Sequence, residues 1–468
     1  MTPTRAPAPV AGSAAPPARR LVTGFGRAAG SVATLHEART ARDVERVVAD
    51  ARAAGGRVLA RGLGRAYGDA AQCAGGELVD CTPMARLLEL DSEHGVARAE
   101  GGYSIASLLR TCVPRGWFVP VTPGTRHVTL GGAVAADVHG KNHHRDGSFG
   151  GHVVGLEVVG ASGSVRVGPG LDPERYWATA GGMGLTGVVT EVSVKLRPIA
   201  TSRLAVTTER APDLDACMAR LTELDADHGY TVAWVDGLAG GGRLGRSVIT
   251  AGDHAALDDL PAAMRADPLA YDPRTPLSVP VAPPVSLVGR ATLRAFNEAW
   301  YRRAPRRRVG EIQSIAQFFH PLDAVRDWNR LYGPRGFTQY QLVVPFSGAD
   351  VVRRTLELLQ RAHVLPALCV LKSFGSASEA PMSFPMPGWT LAADLPLGSP
   401  ALAGVLDEID GVVAGAGGRV YLAKDGRLRP ELLSTMYPRV AEWRAVCERH
   451  DPERLFVSDL WRRVAAVA

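Results

Sequence analysis

Residues 122–150 read TPGTRHVTLGGAVAADVHGKNHHRDGSFG, and the reading of this stretch orders the rest of the chain. It opens on a Pro123-Gly124 turn and runs through Leu130-Gly131-Gly132-Ala133-Val134-Ala135-Ala136, which carries almost no side-chain bulk. His139, Lys141, His143 and His144 then fall within six residues. Small residues let a backbone approach a flat or charged group closely. Polar residues crowded directly behind them point to chemistry beside the bound group, and that group reads as a cofactor.

Two other glycine-rich loops support this. Arg61-Gly62-Leu63-Gly64-Arg65-Ala66-Tyr67-Gly68-Asp69 follows a short strand expected over 57–60, where backbone N–H groups can face a pyrophosphate and Arg61 or Arg65 can add charge. The spacing is not that of a dinucleotide-binding βαβ unit, because the third glycine comes four residues after the second and no helix follows. Gly181-Gly182-Met183-Gly184-Leu185-Thr186-Gly187 precedes a strand expected over 188–196. Three separated glycine loops at strand edges suggest a long cofactor gripped along its length.

The pattern around these loops is α+β. Thr40 caps a helix whose Val44, Val47, Val48 and Ala51 fall on one face, with Asp43 three residues in. Ser104 caps a second helix, and 153–159 with 164–167 reads as a hairpin. At 468 residues, two or three domains are expected. Composition shifts near Ile199, giving an expected division into a tail at 1–20, a first domain at 21–202, a second at 203–415 and a segment at 416–468 returning to the first.

Composition excludes several classes. Hydrophobic content of 46% with 21% charged residues is that of a globular protein. The excess of 53 Lys+Arg over 47 Asp+Glu reads as spread along the chain, which suits an anionic ligand or a membrane surface and gives weak support to nucleic acid. The six scattered cysteines form no C-x-x-C and read as reduced thiols. No apolar run reaches the ~18 residues of a spanning helix. The Pro/Ala-rich first twenty residues lack the apolar core of a secretion signal and read as a flexible tail.

Individual residues divide by chemistry. His139-x-x-x-His143-His144 has metal-like spacing but no Glu or Cys beside it, so a metal is set aside, and His139 is the better placed to act beside a cofactor. Gln339 and Gln341 alternate onto one strand face, as suits either a polyhydroxylated ligand or an edge surface. Lys372 is a cation inside an apolar run, costly unless paired or facing an anion. Residues 277–289, LSVPVAPPVSLVG, form either a loop tucked on the core or an exposed apolar lip.

Together these motifs resemble the FAD-dependent oxidases of the vanillyl-alcohol-oxidase superfamily and, within it, the decaprenylphosphoryl-β-D-ribose 2′-oxidase family. The resemblance runs over nearly the whole chain after the tail. It is carried by Ala60-Arg61-Gly62-Leu63-Gly64-Arg65, Tyr67-Gly68-Asp69, Pro123-Gly124-Thr125-Arg126, Gly147-Ser148-Phe149-Gly150 and Gly184-Leu185-Thr186-Gly187. Later come Gln339-Tyr340-Gln341, Ser383-Phe384-Pro385, Pro387-Gly388-Trp389, Ala423-Lys424-Asp425 and Met436-Tyr437-Pro438-Arg439. The block His139-Gly140-Lys141-Asn142-His143-His144 is the part specific to that branch.

The resemblance implies a two-domain FAD-binding fold with an antiparallel-sheet substrate domain. Ala60, Arg61, Gly62, Leu63, Gly64, Arg65, Ala66, Tyr67, Gly68, Asp69 and Ala70 would hold the FAD pyrophosphate. Gly124, Thr129, Leu130, Gly131, Gly132, Ala136, Asp137, Val138, His139, Val189 and Tyr421 would line the rest of the cofactor. Lys424 would act as base on the sugar 2′-hydroxyl with His139 orienting it. Lys141, Lys372, Gln339 and Gln341 would contact the substrate. Phe319 would stand where relatives carry a tyrosine. The product would be the 2′-keto sugar, reduced by an NADH-dependent partner to the arabino epimer for cell-wall arabinan, with the lipid tail leaving past 277–289. A peripheral place at the plasma membrane, on a face the sequence does not decide, and no nucleic-acid role follow. So does non-covalent FAD, since residues 61–70 contain no histidine. Ala392 replaces a cysteine of some relatives, so thiol-directed nitroaromatics should not attach while turnover survives. The rivals are a sugar-alcohol oxidase of the same superfamily using oxygen, and a flavin-free basic protein binding membrane or nucleic acid.

Overall fold

The computed structural model describes residues 17–465. Of the stretch read as a tail, residues 1–16 lie outside the described residues, while Ala18–Thr23 is already a strand. The first helix, Ala41–Ala53, forms where expected, with the Thr40 side chain accepting from Asp43 N and Asp43 returning the bond to the Thr40 backbone. Its buried Val44, Val47, Val48 and Ala51 pack it on the sheet, and each valine taken from water is worth about 1.5 kcal/mol or more.

Two larger sheets and a two-stranded pairing of Trp117–Phe118 with Arg197–Pro198 occupy the first two hundred residues. A four-stranded sheet runs in the order Ala18–Thr23, Gly30–Glu37, Glu77–Asp80, Val58–Arg61, with its last two pairings parallel. A five-stranded antiparallel sheet follows in the order Leu87–Asp91, Val96–Glu100, Val188–Lys195, Val153–Gly160, Gly163–Val167. The low-bulk run is a short helix, Leu130–Ala135, in spite of its two glycines. Thr129 caps it by accepting from Gly132 N at 3.2 Å.

The rest of the chain is organised on one eight-stranded antiparallel sheet. From edge to edge it runs Arg307–Ser314, Arg203–Ala211, Ser247–His254, Tyr230–Val235, Cys369–Phe374, Gly388–Pro396, Phe337–Val344, Arg419–Val420. The strand Gly388–Pro396 lies between Cys369–Phe374 and Phe337–Val344, with Ala392 opposite both Val370 and Gln341. One apolar core joins this sheet to Leu59, Leu78 and Met183 of the first part, so the two halves close on each other. The chain end also packs back. Val58 N donates to Leu455 O at 2.9 Å, and Trp443 Nε1 to Ala178 O at 2.9 Å.

Candidate active site

Between the sheets lies a cavity of about 350 Å³. All three glycine loops reach it, and from the large sheet come Gln339, Gln341, Lys372, Ala392 and, just past its last strand, Tyr421 and Lys424. Two of the loops touch: a Cβ on Gly62 would stand 2.3 Å from Thr129 Oγ1. Space stands open beside two other wall glycines. A Cβ on Gly124 would meet nothing within 4 Å, and one on Gly184 only Leu59 Cδ1 at 3.7 Å. Small residues packed behind and open in front are the bed a flat, elongated cofactor needs, so these walls fit FAD.

Most residues expected to hold the cofactor are on this wall, from Ala60 through Tyr67 with Ala70, then Gly124, Thr129, Gly131, Gly132, Ala136, Val138, His139, Val189 and Tyr421. Four are not. Gly68 is pressed on the chain end, where a Cβ would meet Asp425 O at 1.7 Å. Asp69 faces Arg463 at 2.9 Å. Leu130 belongs to the core of the five-stranded sheet. Asp137 is buried and accepts from Gly150 N at 2.8 Å and Ser383 Oγ at 2.5 Å. The two loop arginines brace the loop itself: Arg61 donates to Ala71 O (2.7 Å) and Thr23 O (2.8 Å), and Arg65 to His127 O (3.1 Å).

The polar end of the cavity gathers around His139. Its ring lies 4.8 Å from Phe374 and 5.5 Å from Tyr421. Burial, Lys372 and Lys424 hold its pKa well below the ordinary value, so the imidazole is neutral. The proton can be placed by following the bonds. Thr390 Oγ1 donates to Leu342 O at 2.8 Å, so it accepts from Gln341 Nε2 at 3.0 Å. The second amide hydrogen of Gln341 faces His139 Nε2 at 3.2 Å, making that nitrogen the acceptor. With the amide so assigned, the proton of His139 is on Nδ1. Nδ1 is 3.2 Å from Lys372 Nζ, which donates to Gly140 O at 3.2 Å. Lys372 receives an Nδ1–H only as the uncharged amine, and burial, Lys424 and Lys141 lower its pKa to about 7.

Lys424 differs from the other two lysines. No hydrogen bond engages its Nζ among the described residues, and it stands 5.6 Å from the Tyr67 ring and 5.9 Å from that of Tyr421. Burial lowers its pKa to about 8 against the opposing pull of Asp394. Lys424 lies in a turn, since the strand stops at Val420 and Lys424 N donates to Tyr421 O at 2.9 Å. Asp394 is buried, pushed up to about 6 by desolvation, and bonded by Gln339 and by Tyr332 Oη at 3.2 Å.

Two expected substrate contacts lie off the cavity. Lys141 turns its ammonium to Phe318 O and stands 4.1 Å over the Phe318 ring, its backbone held by Thr231 N, which donates to Lys141 O at 3.0 Å. Phe319 is buried among Phe118 at 5.1 Å and Tyr230 at 4.8 Å. His143 lies tilted against the Phe374 ring at 4.4 Å and His144 bonds His228 O at 2.9 Å, both away from the cavity. Sequence reading missed Thr390, Asp394 and Arg463. Thr390 and Asp394 alternate with Ala392 along one strand, a pattern that acquires meaning only once that strand is placed beside Gln339 and Gln341.

Comparison with known proteins agrees with this geometry. An FAD binding domain model matches residues 33–168, the part that supplies two of the glycine loops. The decaprenylphosphoryl-beta-D-ribose oxidase of Mycolicibacterium smegmatis is 38% identical over 453 residues, 96% of this chain and 98% of that protein. An uncharacterised Streptomyces coelicolor protein is 41% identical over 76% of this chain and 98% of its own length. An L-gulono-1,4-lactone dehydrogenase of Mycobacterium tuberculosis is 30% identical over 156 residues, 33% of this chain and 35% of its own. The glycine-walled cavity and the end-to-end match lead to one assignment: the chain belongs to the decaprenylphosphoryl-β-D-ribose oxidase family and is an FAD-dependent oxidoreductase.

Proposed function

We propose that this enzyme oxidises the 2′-hydroxyl of a polyprenyl-phosphoryl-β-D-ribose, decaprenyl in the relative's name, to the 2′-keto sugar. The observation that carries the reading is the pairing, at one end of a glycine-walled cavity, of a neutral His139 with a lysine, Lys424, whose Nζ makes no hydrogen bond among the described residues. The glycine-walled bed would hold FAD, which would supply the hydride acceptor for the carbinol carbon. Lys424 accepts the hydroxyl proton at Nζ, and its lowered pKa keeps a usable share of amine near neutrality. His139, its two ring nitrogens engaged by Gln341 and Lys372, orients the hydroxyl through the fixed, uncharged face of its ring. Gln339 and Gln341 keep their Oε1 atoms buried and unpartnered, which suits sugar hydroxyl donors. Lys372, as the amine that accepts from His139 Nδ1 and donates to Gly140 O, keeps one N–H for a polar group of the substrate. Lys141 supports the wall from behind rather than touching the sugar.

In this reading, 21–202 with the returning 416–468 grips the cofactor and 203–415 supplies the substrate face. A keto product calls for a reductase, so a separate NADH-dependent partner completes the 2′-epimerisation that feeds arabinan synthesis. A polyprenyl substrate also places the enzyme peripherally at a membrane. No helix of the described residues is long and apolar enough to cross one.

Mixing the oxidised enzyme anaerobically with a polyprenyl-phosphoribose, and separately with xylitol or sorbitol, in the presence of a dye acceptor tests the reading. Flavin bleaching by the lipid-linked ribose is expected; bleaching by the polyols alone would replace the proposal with a sugar-alcohol oxidase.

A further inference from the structure

The charge excess is not evenly distributed. Residues 274–310 hold eight arginines against one glutamate, +7 where the whole chain is +6, so the even spread expected from the sequence gives way to one basic segment. Its single acid, Glu298, is already engaged by Arg246 at 2.7 Å and Arg302 at 2.5 Å. Arg294, Arg303 and Arg306 are exposed, with no carboxylate in ion-pair range among the described residues.

The same segment exposes Leu277, Val281, Val285, Leu287, Phe296 and Trp300, with Val281 at 75% and Phe296 at 55% of full exposure. The expected choice between a tucked loop and an exposed lip is thereby decided for the lip. On the helix Arg290–Arg303, Leu293 and Asn297 face inward, Asn297 donating to Asp236 Oδ1 at 2.7 Å. Phe296 and Trp300 face outward and stack at 6.0 Å, with Arg303 three residues further on the same stripe. Thr292 Oγ1 donates to Leu287 O at 3.0 Å and so fixes the end of the lip to the start of the helix.

This surface adjoins the cavity. Leu277–Ser278 pairs with Val325–Arg326, Leu287 N donates to Leu331 O at 3.0 Å, and Arg330 Nη1 donates to Val279 O at 2.9 Å. The stretch they cover supplies Leu322 and Trp328 to the cavity wall.

We propose that residues 277–308 are the surface by which this enzyme docks on an anionic phospholipid bilayer, holding the cavity mouth against the leaflet that carries the substrate. The proposal rests on the polyprenyl-phosphate reading of the site. Aromatic rings beside arginines, with no long apolar span, are the composition of an interfacial helix: the rings enter the acyl boundary and the guanidiniums meet lipid phosphates. The aliphatic lip, Leu277 to Leu287, gives nothing to a nucleic-acid backbone, which favours lipid over that alternative for the same basic charge.

The test uses full-length holoenzyme in flotation with vesicles of phosphatidylcholine alone or mixed with phosphatidylglycerol. Binding is expected only to the mixed vesicles, to weaken with salt, and to fall ~10-fold or more in F296S/W300S and in R303E/R306E. Retained flavin absorbance in both variants guards against misfolding. Their bleaching by a water-soluble short-chain phosphoribose should match wild type, while bleaching by vesicle-borne long-chain substrate falls. Equal binding to both vesicle types, wild-type flotation by both variants, or binding of duplex DNA without vesicle binding would each overturn the docking surface. Wild type failing on the short-chain substrate would overturn the substrate reading and leave the flotation result to judge the surface by itself.

Discussion

Lys372 Nζ stands 3.2 Å from His139 Nδ1, the ring nitrogen that keeps its proton because Gln341 donates to the other. A lysine can take that proton's hydrogen bond only through its lone pair, so the amide of Gln341 reaches across the imidazole to set the charge of Lys372. The acceptor that fixes Gln341 is Thr390. In Thr390→Val the amide is free to turn its oxygen to His139, the tautomer inverts, and Lys372 becomes the donor and holds its charge to higher pH. A cation there disfavours a second one at Lys424. The low-pH limb of the flavin-reduction profile should therefore move to lower pH with FAD fully retained, as read by stopped-flow bleaching across a pH series. An unchanged limb would remove the relay.

In the proposed reaction Lys424 works as the unprotonated amine, and burial lowers its pKa to about 8. The rate of flavin reduction should fall as pH drops below that value and level off above it. Lys424→Ala should lose ~10²-fold to 10⁴-fold in that rate while the flavin spectrum persists. Turnover at the wild-type rate would take Lys424 out of the mechanism.

The same depressed lysines bear on stability. Lys141 and Lys372, each lowered to about 7, and Lys424, lowered to about 8, are neutral in the folded protein at pH values where the unfolded chain still binds their protons. Folding stability thus gains with pH between about 7 and the ordinary lysine value of 10.5. Thermal melting of the holoenzyme should shift upward between about pH 7 and 9, and the shift should shrink in Lys141→Met.

Arg463 joins two parts of the site that are far apart in the chain. It pairs with Asp69 at 2.9 Å, beside the cofactor loop, and with Asp425 at 2.9 Å, next to Lys424. It also donates to Leu428 O at 2.9 Å. Arg463→Met leaves two partly buried carboxylates facing each other and should cost about 3 kcal/mol or more in chemical denaturation. FAD release on dilution should accelerate in the same variant. Arg463→Lys, which keeps the charge without the fork, should recover only part of either effect.

Ala392 lies on the cavity wall opposite Gln341. Ala392→Cys puts a thiol there. Intact-protein mass spectrometry after exposure to a nitroaromatic that attacks that thiol in relatives should show an adduct in the variant and none in the parent, with turnover before exposure unchanged.

Much of the glycine-lined cavity wall was legible from sequence because it depends on absent side chains, and glycine and alanine runs announce themselves. Gln339 and Gln341 were legible as a pair because strand alternation is a local property, and both reach the cavity. Lys141 was not: its backbone carbonyl is held by Thr231 N, ninety residues away, and its Nζ by Phe318 O, contacts that the family block containing it does not reveal. Thr390 and Asp394 escaped notice for a similar reason. A threonine and an aspartate on an apolar strand carry no signal until their neighbours across the sheet are known. Arg463 lies in a terminal helix whose sequence, Asp-Leu-Trp-Arg-Arg-Val, resembles any amphipathic end piece.

Cys369–Phe374, Gly388–Pro396 and Phe337–Val344 are adjacent strands, and Lys372, Ala392, Gln339 and Gln341 project from them at the cavity. The glycine loops come from different elements altogether. On the proposed reading, selectivity and cofactor grip are therefore modular: a palette of four side chains on three neighbouring strands could be exchanged as a cassette to accept other lipid-linked sugars, with the flavin bed inherited intact.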